Sequence, residues 1–285
     1  MKLLVVGHSV EDHIILEQKE IIKPGGIYYA ATALTSIAPD VNIFLCTYAE
    51  KENYSLFSGS FDKCAPDFIS FIDSIPKVWL TIHGQKERDE RYSYVNRKLE
   101  IPYDRLNEFD GILINMISGF DIELNQLKKI RENFSGIIYM DVHTFSRSLE
   151  HHGHRGFRKI EHFNEWAEYL DIIQVNESEA KTITRFDKEE DISCEILNFG
   201  VKQLIITKGE SGAKLYYLQN GEINFIFQSA AKIEAANKIG LGDVFGAAYF
   251  YNYIKSSNLF YSLNVAVTAS GIAAGYNGLS ELKSL

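Results

Sequence analysis

The stretch with the clearest chemical meaning is Gly240-Leu241-Gly242-Asp243, which precedes an apolar segment with helical spacing. Two glycines let the backbone turn tightly, and a helix that begins there leaves its first amides without partners inside the helix. Together with the positive end of the helix dipole, these amides form a binding site for an anion such as a phosphoryl group. The Asp243 carboxylate lies where it can take the proton of an attacking hydroxyl. The stretch therefore predicts phosphoryl transfer to an alcohol.

A structural interpretation of the same stretch is also open. Aspartate is a favoured N-cap of helices and glycines occur in ordinary turns, so these four residues alone do not establish catalysis. Three other sites favour the catalytic interpretation, since Asp141, Asn176 and the pair Lys208-Gly209 each follow a predicted strand. Ligands of parallel sheets bind at such strand ends, and we expect these residues to face the same edge as Asp243.

Composition limits the classes of function. The chain has 285 residues, of which 46% are hydrophobic and 24% charged, with a formal net charge of −9 and a pI near 5.4. An acidic chain without a basic run is not expected to bind nucleic acid or an anionic membrane. Three scattered cysteines indicate neither a disulfide framework nor a zinc site. Since no signal peptide or membrane-spanning run is recognised, we expect a cytoplasmic protein.

Strand and helix patterns alternate through the second half of the chain, which predicts parallel strands joined by crossover helices on both faces. The predicted strands and helices of this half cover residues 111–115, 121–133, 137–140, 163–170, 172–175, 177–183, 188–199 and 203–207. Asp121 is the predicted N-cap of the first of these helices. Residues 232–237 are predicted to be β structure leading into the Gly-x-Gly-Asp turn.

The first half predicts a buried strand at residues 1–6, followed by a small β excursion. Gly7 has no partner glycines at dinucleotide-binding offsets, which nearly excludes a dinucleotide oxidoreductase. Residues 77–99 predict a charged hairpin that is too polar on one side for a central sheet. It suits a flap over a site, where Arg88 and Arg91 would reach an anionic group, and a solvated hairpin is an equally good interpretation.

The order and spacing of these motifs resemble the ribokinase-like (PfkB) family of carbohydrate and nucleoside kinases, nearly from end to end. The segment Gly240-Leu241-Gly242-Asp243 resembles the C-terminal signature of that family. In the signature, the backbone amides form the anion hole and the aspartate is the base. The resemblance implies an α/β protein with a three-layer α/β/α sandwich and a mostly parallel central sheet. It also implies one domain over residues 1–285, with a small β lid at about residues 10–24 and 78–100.

The resemblance implies a set of residues that bind ATP and Mg²⁺. They lie in an N-x-x-E motif of the magnesium–phosphate network, in a T-x-G-x-x-G loop near the nucleotide, and in the helix that lines the adenine pocket. These residues are Asn176, Glu179, Thr207, Gly209, Gly212 and Asn264. Glu179 is expected to act on the metal through water.

On the substrate side, the resemblance implies a sugar or a nucleoside as the acceptor. Asp12 falls where the family places a carboxylate on substrate hydroxyls, and Gly25 and Gly26 match the glycine pair at the hinge between main domain and lid. With the strand-end residue Asp141, they are the expected substrate-binding residues. An exposed edge strand in the lid would favour a homodimer that pairs through the lid.

The sequence also departs from the family pattern. Asn237 and Lys238 stand where Asp and Thr are usual, Leu241 replaces a common Ala, and residues 28–31 lack the usual Asn. These departures bear on the substrate and on the monovalent-cation site that some members carry near this loop. They support an alternative, a catalytically degenerate protein that binds a sugar or a nucleotide in a regulatory role. The retained Asp243 favours the kinase.

Histidines supply two further candidates. The run His151-His152-Gly153-His154 has the composition of a metal tract, but no acidic or cysteine ligand lies beside it at helical spacing, and a polar loop is favoured. His143 comes two residues after Asp141 at a strand end. It is a candidate for contact with substrate, and a structural histidine is the alternative.

Overall fold

The computed structural model describes residues 1–16, 19–81, 89–93, 97–149, 153, 155–233, 235–236, 239–275, 279 and 282. Several expectations concern residues outside this set. They are the anion contact of Arg88, the departures at Asn237 and Lys238, and the histidines at 151, 152 and 154.

Strands and helices alternate along most of the described chain. The strands are β1 (Lys2–Val6), β2 (Ser9–Leu16), β3 (Lys19–Gly26), β4 (Asn42–Glu50), β5 (Ile69–Ile72), β6 (Lys77–Thr81), β7 (Asp89–Tyr92), β8 (Gly111–Asn115), β9 (Ile137–Asp141), β10 (Ile172–Asn176), β11 (Gln203–Thr207), β12 (Gly212–Gln219) and β13 (Glu222–Ser229). The helices are α1 (Tyr28–Ile37), α2 (Ser58–Phe61), α3 (Leu124–Asn133), α4 (Phe163–Ala167), α5 (Glu177–Ala180), α6 (Glu189–Asn198), α7 (Leu241–Ser256) and α8 (Leu259–Ala274). No helix in the described ranges combines the length and the apolar character needed to cross a membrane.

The large sheet has the strand order β13-β12-β11-β10-β9-β8-β1-β4-β5. All pairs from β11 to β5 are parallel, and only β12 and β13 run antiparallel to their neighbours. Strands β8 to β11 are apolar runs that are almost wholly buried, as expected for parallel strands with both faces covered by helices. The predicted three-layer α/β/α sandwich with a mostly parallel sheet is confirmed.

A separate small sheet has the order β3-β2-β6-β7 and is built from the segments predicted to form the lid. Strand β2 pairs antiparallel with β3 and parallel with β6, and β6 pairs antiparallel with β7. The small sheet is tied to the main body by Asn53, whose Nδ2 donates to Glu11 Oε2 at 2.7 Å. Pairing of two copies through this sheet stays a prediction, with β3 and β7 as its edge strands.

Helix α7 is the central helix of the molecule and is buried from Asp243 to Asn252. It packs against α1, α8 and the strands β8 and β9, so apolar side chains cover all its faces. Gly111 makes one close approach possible, because a side chain there would meet the ring of Phe250 at 2.8 Å. The first turn of α7 is therefore held in a fixed position at the carboxyl edge of the large sheet.

One predicted cap is wrong. Helix α3 begins at Leu124, and its N-cap is Glu123, which exchanges hydrogen bonds with Gln126. Asp121 lies before the helix, fully buried, and accepts hydrogen bonds from the amides of His8 (2.8 Å) and Ser118 (2.9 Å). Its main partner is more than a hundred residues away in sequence, which no local helix signal can indicate.

The predicted β structure at residues 232–237 is also wrong for the part that the structure describes. Residues 232, 233, 235 and 236 form no strand. The Ala236 amide bonds the carbonyl of Ala274 at 2.8 Å, at the end of α8. The segment is therefore hydrogen-bonded to the end of helix α8 and not to a neighbouring strand.

Candidate active site

Two cavities meet beside the first turn of α7. The large cavity has a volume of about 540 Å³ and the small cavity about 40 Å³. Four of the described residues line both: His143, Ile239, Gly240 and Asp243. A group bound in one cavity therefore reaches a group bound in the other at this junction.

The turn before α7 presents backbone amides to the junction. Gly240 is the N-cap, with a φ of 76° and no side-chain cap, and the first helical hydrogen bond runs from the Val244 amide to the Gly240 carbonyl at 3.0 Å. The amides of residues 241–243 thus precede the hydrogen-bond ladder of the helix. With the helix dipole they favour an anion at this place.

The two glycines of the turn serve different purposes. A side chain at Gly240 would collide with the ring of Tyr29, and its positive φ also favours glycine. A Cβ at Gly242 would meet only Gln174 Nε2, at an ordinary 3.7 Å. The protein itself therefore leaves room for a methyl group at Gly242, which lines the large cavity.

Asp243 is the third residue of α7 and is 4% exposed. Since Gly240 is the N-cap, the interpretation of Asp243 as the cap does not hold. Its Oδ1 accepts a hydrogen bond from Asn115 Nδ2 at 3.0 Å. Asn115 ends β8 and orients the carboxylate, and sequence reasoning missed it. A polar residue directly after a buried strand was the signal, as for Asp141 and Asn176.

Two further side chains fix the turn through its carbonyls. Gln174 Nε2 donates to the Gly242 carbonyl at 3.1 Å, and Ser270 Oγ donates to the Leu241 carbonyl at 3.2 Å. Gln174 is itself held by Tyr139, whose hydroxyl donates to Gln174 Oε1 at 2.5 Å. The amides of the turn are thus held rigidly from β10 and α8, neither of which carried a sequence signal for this role.

Asp141, at the end of β9, carries a buried oxygen without a partner. The side chain is 2% exposed, and Oδ2 has no hydrogen-bond partner among the described residues. Burial raises the pKa of Asp141 well above its ordinary value, and the charges of Glu179 and Asp243 raise it further. An unpaired carboxylate oxygen beside two other carboxylates fits a divalent cation.

The Asn176–Glu179 motif has a structural role in addition to lining the large cavity. Asn176 Oδ1 accepts from the amides of Ser178 (2.9 Å) and Glu179 (2.8 Å). In return, Glu179 accepts from the Asn176 amide (2.9 Å) and from Asn176 Nδ2 (2.8 Å). This reciprocal cap stabilises α5, which is a single helical turn at the cavity wall.

The remaining residues expected to bind ATP lie around the large cavity, with one exception. Thr207, Gly209 and Gly212 line it beyond the end of β11. Helix α8 contributes Val267, Ser270, Gly271 and Ala274. Asn264 is not among the lining residues and lies nearly one turn before them. The structure therefore does not bring Asn264 to the cavity that holds the other candidates.

The small cavity lies between the two sheets. Asp12 lines it from β2 and Gly26 from β3, so both face Asp243 across the junction. Gly25 does not line the cavity, and instead makes room for the carboxylate of Asp12, with which any side chain at 25 would collide. Most of the other walls are apolar or aromatic, formed by Val10, Tyr29, Val78, Leu80, Tyr92 and Ile117.

No group of three or more His, Cys, Asp or Glu side chains within the described ranges is arranged to hold a metal ion. Any cation at Asp141 would therefore take much of its coordination from a ligand or from water. Mg²⁺ is the cation that most often binds in this way.

Comparison with known proteins gives a family match over the second half of the chain. Residues 153–284 match the model of the pfkB family carbohydrate kinase. The chain is 30% identical over 124 residues to the ATP-dependent 6-phosphofructokinase of Thermoanaerobacterium thermosaccharolyticum, and this match spans 44% of the chain but only 37% of that protein.

Solved structures resemble the whole chain. A pyrophosphate-dependent kinase in the ribokinase family, in a sulfate complex, has a TM-score of 0.79 at 18% identity, with both chains fully covered. Ribokinase from Thermotoga maritima has a TM-score of 0.73 at 18% identity and covers 99% of this chain and 95% of its own. The chain therefore has the ribokinase-like fold, and its residues 153–284 match the pfkB family of carbohydrate kinases, which confirms the resemblance seen in the motifs.

Proposed function

We propose that this protein is an ATP-dependent phosphotransferase that moves the γ-phosphoryl group to a hydroxyl of a sugar or a nucleoside. One observation carries the proposal: the buried Asp243 lies in the first turn of α7, where the two cavities meet. A base and an anion-binding helix terminus at one junction suit the transfer of a phosphoryl group between two ligands.

The reaction uses the residues of the junction as follows. The acceptor hydroxyl lies in the small cavity at Asp243, and the small sheet must move outward to admit the rest of the sugar or nucleoside, since about 40 Å³ is too small for either. Asp243 takes the hydroxyl proton as the oxygen attacks phosphorus. The amides of residues 241–243 hold the oxygens of the group in transfer, and the bond to the departing diphosphate breaks with its electrons on the diphosphate oxygen. Because these amides are already fixed by Gln174 and Ser270, no reorganisation is needed when charge develops.

Mg²⁺ is the expected metal, on which Glu179 would act through water. Asp141 was expected to bind substrate, but it lines the large cavity and not the small one, and we propose that it would hold the metal instead. The support for this assignment is the buried Asp141 Oδ2 without a partner and the nearby carboxylate of Glu179. When bound, the ion supplies positive charge that neutralises the phosphates of the donor.

The size of the large cavity favours ATP as the donor. About 540 Å³ is within the usual range of small-molecule sites, and part of the cavity wall is formed by the apolar residues Ala230, Ile233, Val267 and Ala274. Such a wall suits a nucleoside. Pyrophosphate is the second candidate, because similar structures include a pyrophosphate-dependent kinase in complex with a pyrophosphate analog and myo-inositol. Pyrophosphate has no apolar part that could contact this wall.

The acceptor is proposed to carry no phosphate of its own. The described lining of the small cavity includes no Lys or Arg, whereas it offers Asp12 for hydroxyl groups and apolar walls for a ring face. We further propose that the small sheet acts as a lid, which closes over the acceptor and excludes water from the junction.

The alternative is a degenerate protein that binds a sugar or a nucleotide without turning it over. The departures at Asn237 and Lys238 are its support, and the intact geometry around Asp243 opposes it. A screen of the full chain with MgATP or pyrophosphate and a panel of sugars and nucleosides tests both. Acceptor-dependent release of ADP, absent in Asp243→Asn, supports the kinase. Thermal stabilisation by an acceptor without any release of ADP or phosphate supports the alternative.

A further inference from the structure

His143 occupies an unusual place and an unusual conformation. It follows Asp141 at the end of β9 and lines both cavities. Its backbone has a φ of 40°, which histidine adopts at a cost. Strained residues of this kind persist where the surroundings hold them, and they are concentrated at functional sites.

A local network holds His143 in this conformation. Its carbonyl accepts a hydrogen bond from Ser146 Oγ at 2.6 Å. Its Nδ1 lies 2.6 Å from Oγ1 of the buried Thr144. These contacts fix both the backbone and the ring of His143, two residues after the Asp141 carboxylate that the proposed metal would use.

The contact with Thr144 bears on the other ring nitrogen. It allows a neutral ring in which the Thr144 hydroxyl donates to Nδ1 and the ring proton is on Nε2, and this is the tautomer that a donor role requires. No hydrogen bond to Nε2 is formed by the described residues, and the ring is half-buried at the junction. The Nε2–H group is therefore the donor that a ligand at the junction would meet.

Among the four residues shared by both cavities, His143 alone has a side chain that can donate a hydrogen bond. Ile239 is apolar, Gly240 has no side chain, and Asp243 is the proposed base. The phosphoryl group in transfer is negatively charged and needs hydrogen-bond donors on more than one side. The amides of α7 supply one side, and His143 comes from a different element, the turn after β9.

We infer that His143 is a further catalytic residue, whose Nε2–H donates to a non-bridging oxygen of the phosphoryl group during its transfer. The inference rests on the proposed function. The acceptor oxygen forms its bond to phosphorus while the bond to the departing diphosphate breaks, and the acceptor proton goes to Asp243. His143 neither gains nor loses a proton in this step. Its hydrogen bond stabilises the negative charge on the phosphoryl oxygens.

A matched pair of variants separates this role from a structural one. His162 also has a positive φ, of 55°, but it is exposed at the start of α4 and lines neither cavity. Asparagine adopts this conformation more readily than histidine, so His143→Asn and His162→Asn should each raise the Tm by about 2 °C or leave it unchanged. Only His143→Asn should lower kcat, by about 100- to 1,000-fold, the range seen when one donor to a developing anion is removed.

The outcomes are distinct. An H143N variant that folds normally but loses kcat, beside an H162N variant with wild-type kcat, supports the inference. Wild-type kcat in H143N overturns it. If the wild-type protein transfers phosphoryl to no acceptor, the proposed function fails, and calorimetry with MgATP then tests His143. An affinity reduced at least threefold in H143N supports the phosphate contact, and an unchanged affinity overturns it.

Discussion

The large and the small cavity share Asp243 but are built from different parts of the chain. The described residues that line the large cavity all lie between Asp141 and Ala274, at strand ends and helix termini of the main sandwich. The small cavity draws on both sheets, with walls that range in sequence from Val10 to Asp243. One region is assembled from short motifs and the other from the packing of distant segments.

The two regions also differ in chemistry. The large cavity combines backbone amides, glycines and the carboxylates of Asp141 and Glu179. The small cavity is mostly apolar and has Asp12 as its own carboxylate. If the first binds the phosphoryl donor and the second the acceptor, substitutions in each should change different kinetic constants, and substitutions at the junction should change kcat.

The largest effect is expected at the junction. Asp243→Asn removes the base but keeps an oxygen to accept from Asn115, so the fold should be retained. We expect kcat to fall at least about 1,000-fold, as for the loss of a positioned general base together with its charge. A coupled assay for ADP measures this, with the circular dichroism melt as the control for folding. Turnover near that of the wild type would remove Asp243 from the mechanism.

The next effect belongs to the large cavity. In Gly242→Ala, the new methyl group meets only an ordinary contact in the protein but intrudes where the donor phosphate is proposed to bind. We expect a stable protein whose kcat/KM for ATP is lower by about 100-fold. Gly59→Ala is the matched control, since its Cβ also meets a single atom at 3.7 Å, the hydroxyl of Tyr28. Equal activity of the two variants would contradict the anion site.

A substitution in the small cavity should change the kinetic constants of the acceptor alone. Asp12→Asn loses a charged acceptor for substrate hydroxyls, which is worth about 1.5 to 3 kcal/mol or roughly 10- to 100-fold in affinity. We expect the KM of the acceptor to rise by this factor and the KM of ATP to stay constant, as measured by initial rates with each substrate varied. A change confined to the KM of ATP would reverse the assignment of the two cavities.

The smallest effect concerns stability. Because the pKa of Asp141 is raised in the folded state, the wild-type protein should lose stability as the pH rises from about 4, the ordinary pKa in the unfolded chain, towards the folded value. The Asp141→Asn variant has no carboxyl group at this position and should not lose stability in this way as the pH rises. In EDTA at pH 7 we expect it to be more stable by about 1 to 3 kcal/mol in urea unfolding, with little difference near pH 3.

Magnesium should reverse this ordering. If Asp141 binds the cation with the donor, MgATP should stabilise the wild-type protein more than Asp141→Asn. Equal stabilisation of both proteins by MgATP would mean that the carboxylate does not contact the metal.

Local patterns predicted much of the fold, because each buried strand is a short apolar run and each helix repeats its apolar residues. The candidates Asp141, Asn176 and Asp243 could be found in the same way, as polar residues directly after strands or turns. Asn115 was missed although it is a polar residue at the end of a buried strand. Gln174 was missed because nothing local distinguishes it from other polar residues in strands. Asp121 was misassigned for the same reason, as its partner is His8.

By itself, the sequence determined the Gly-x-Gly-Asp turn, the parallel order of strands and the resemblance to a kinase family. These depend on neighbours within a few residues, where the chain has little conformational choice. Only the tertiary structure decided that Asp12 faces Asp243, that Asn264 lies away from the large cavity, and that His143 stands between the two cavities. Such placements follow from the packing of elements that are far apart in sequence, which no local pattern encodes.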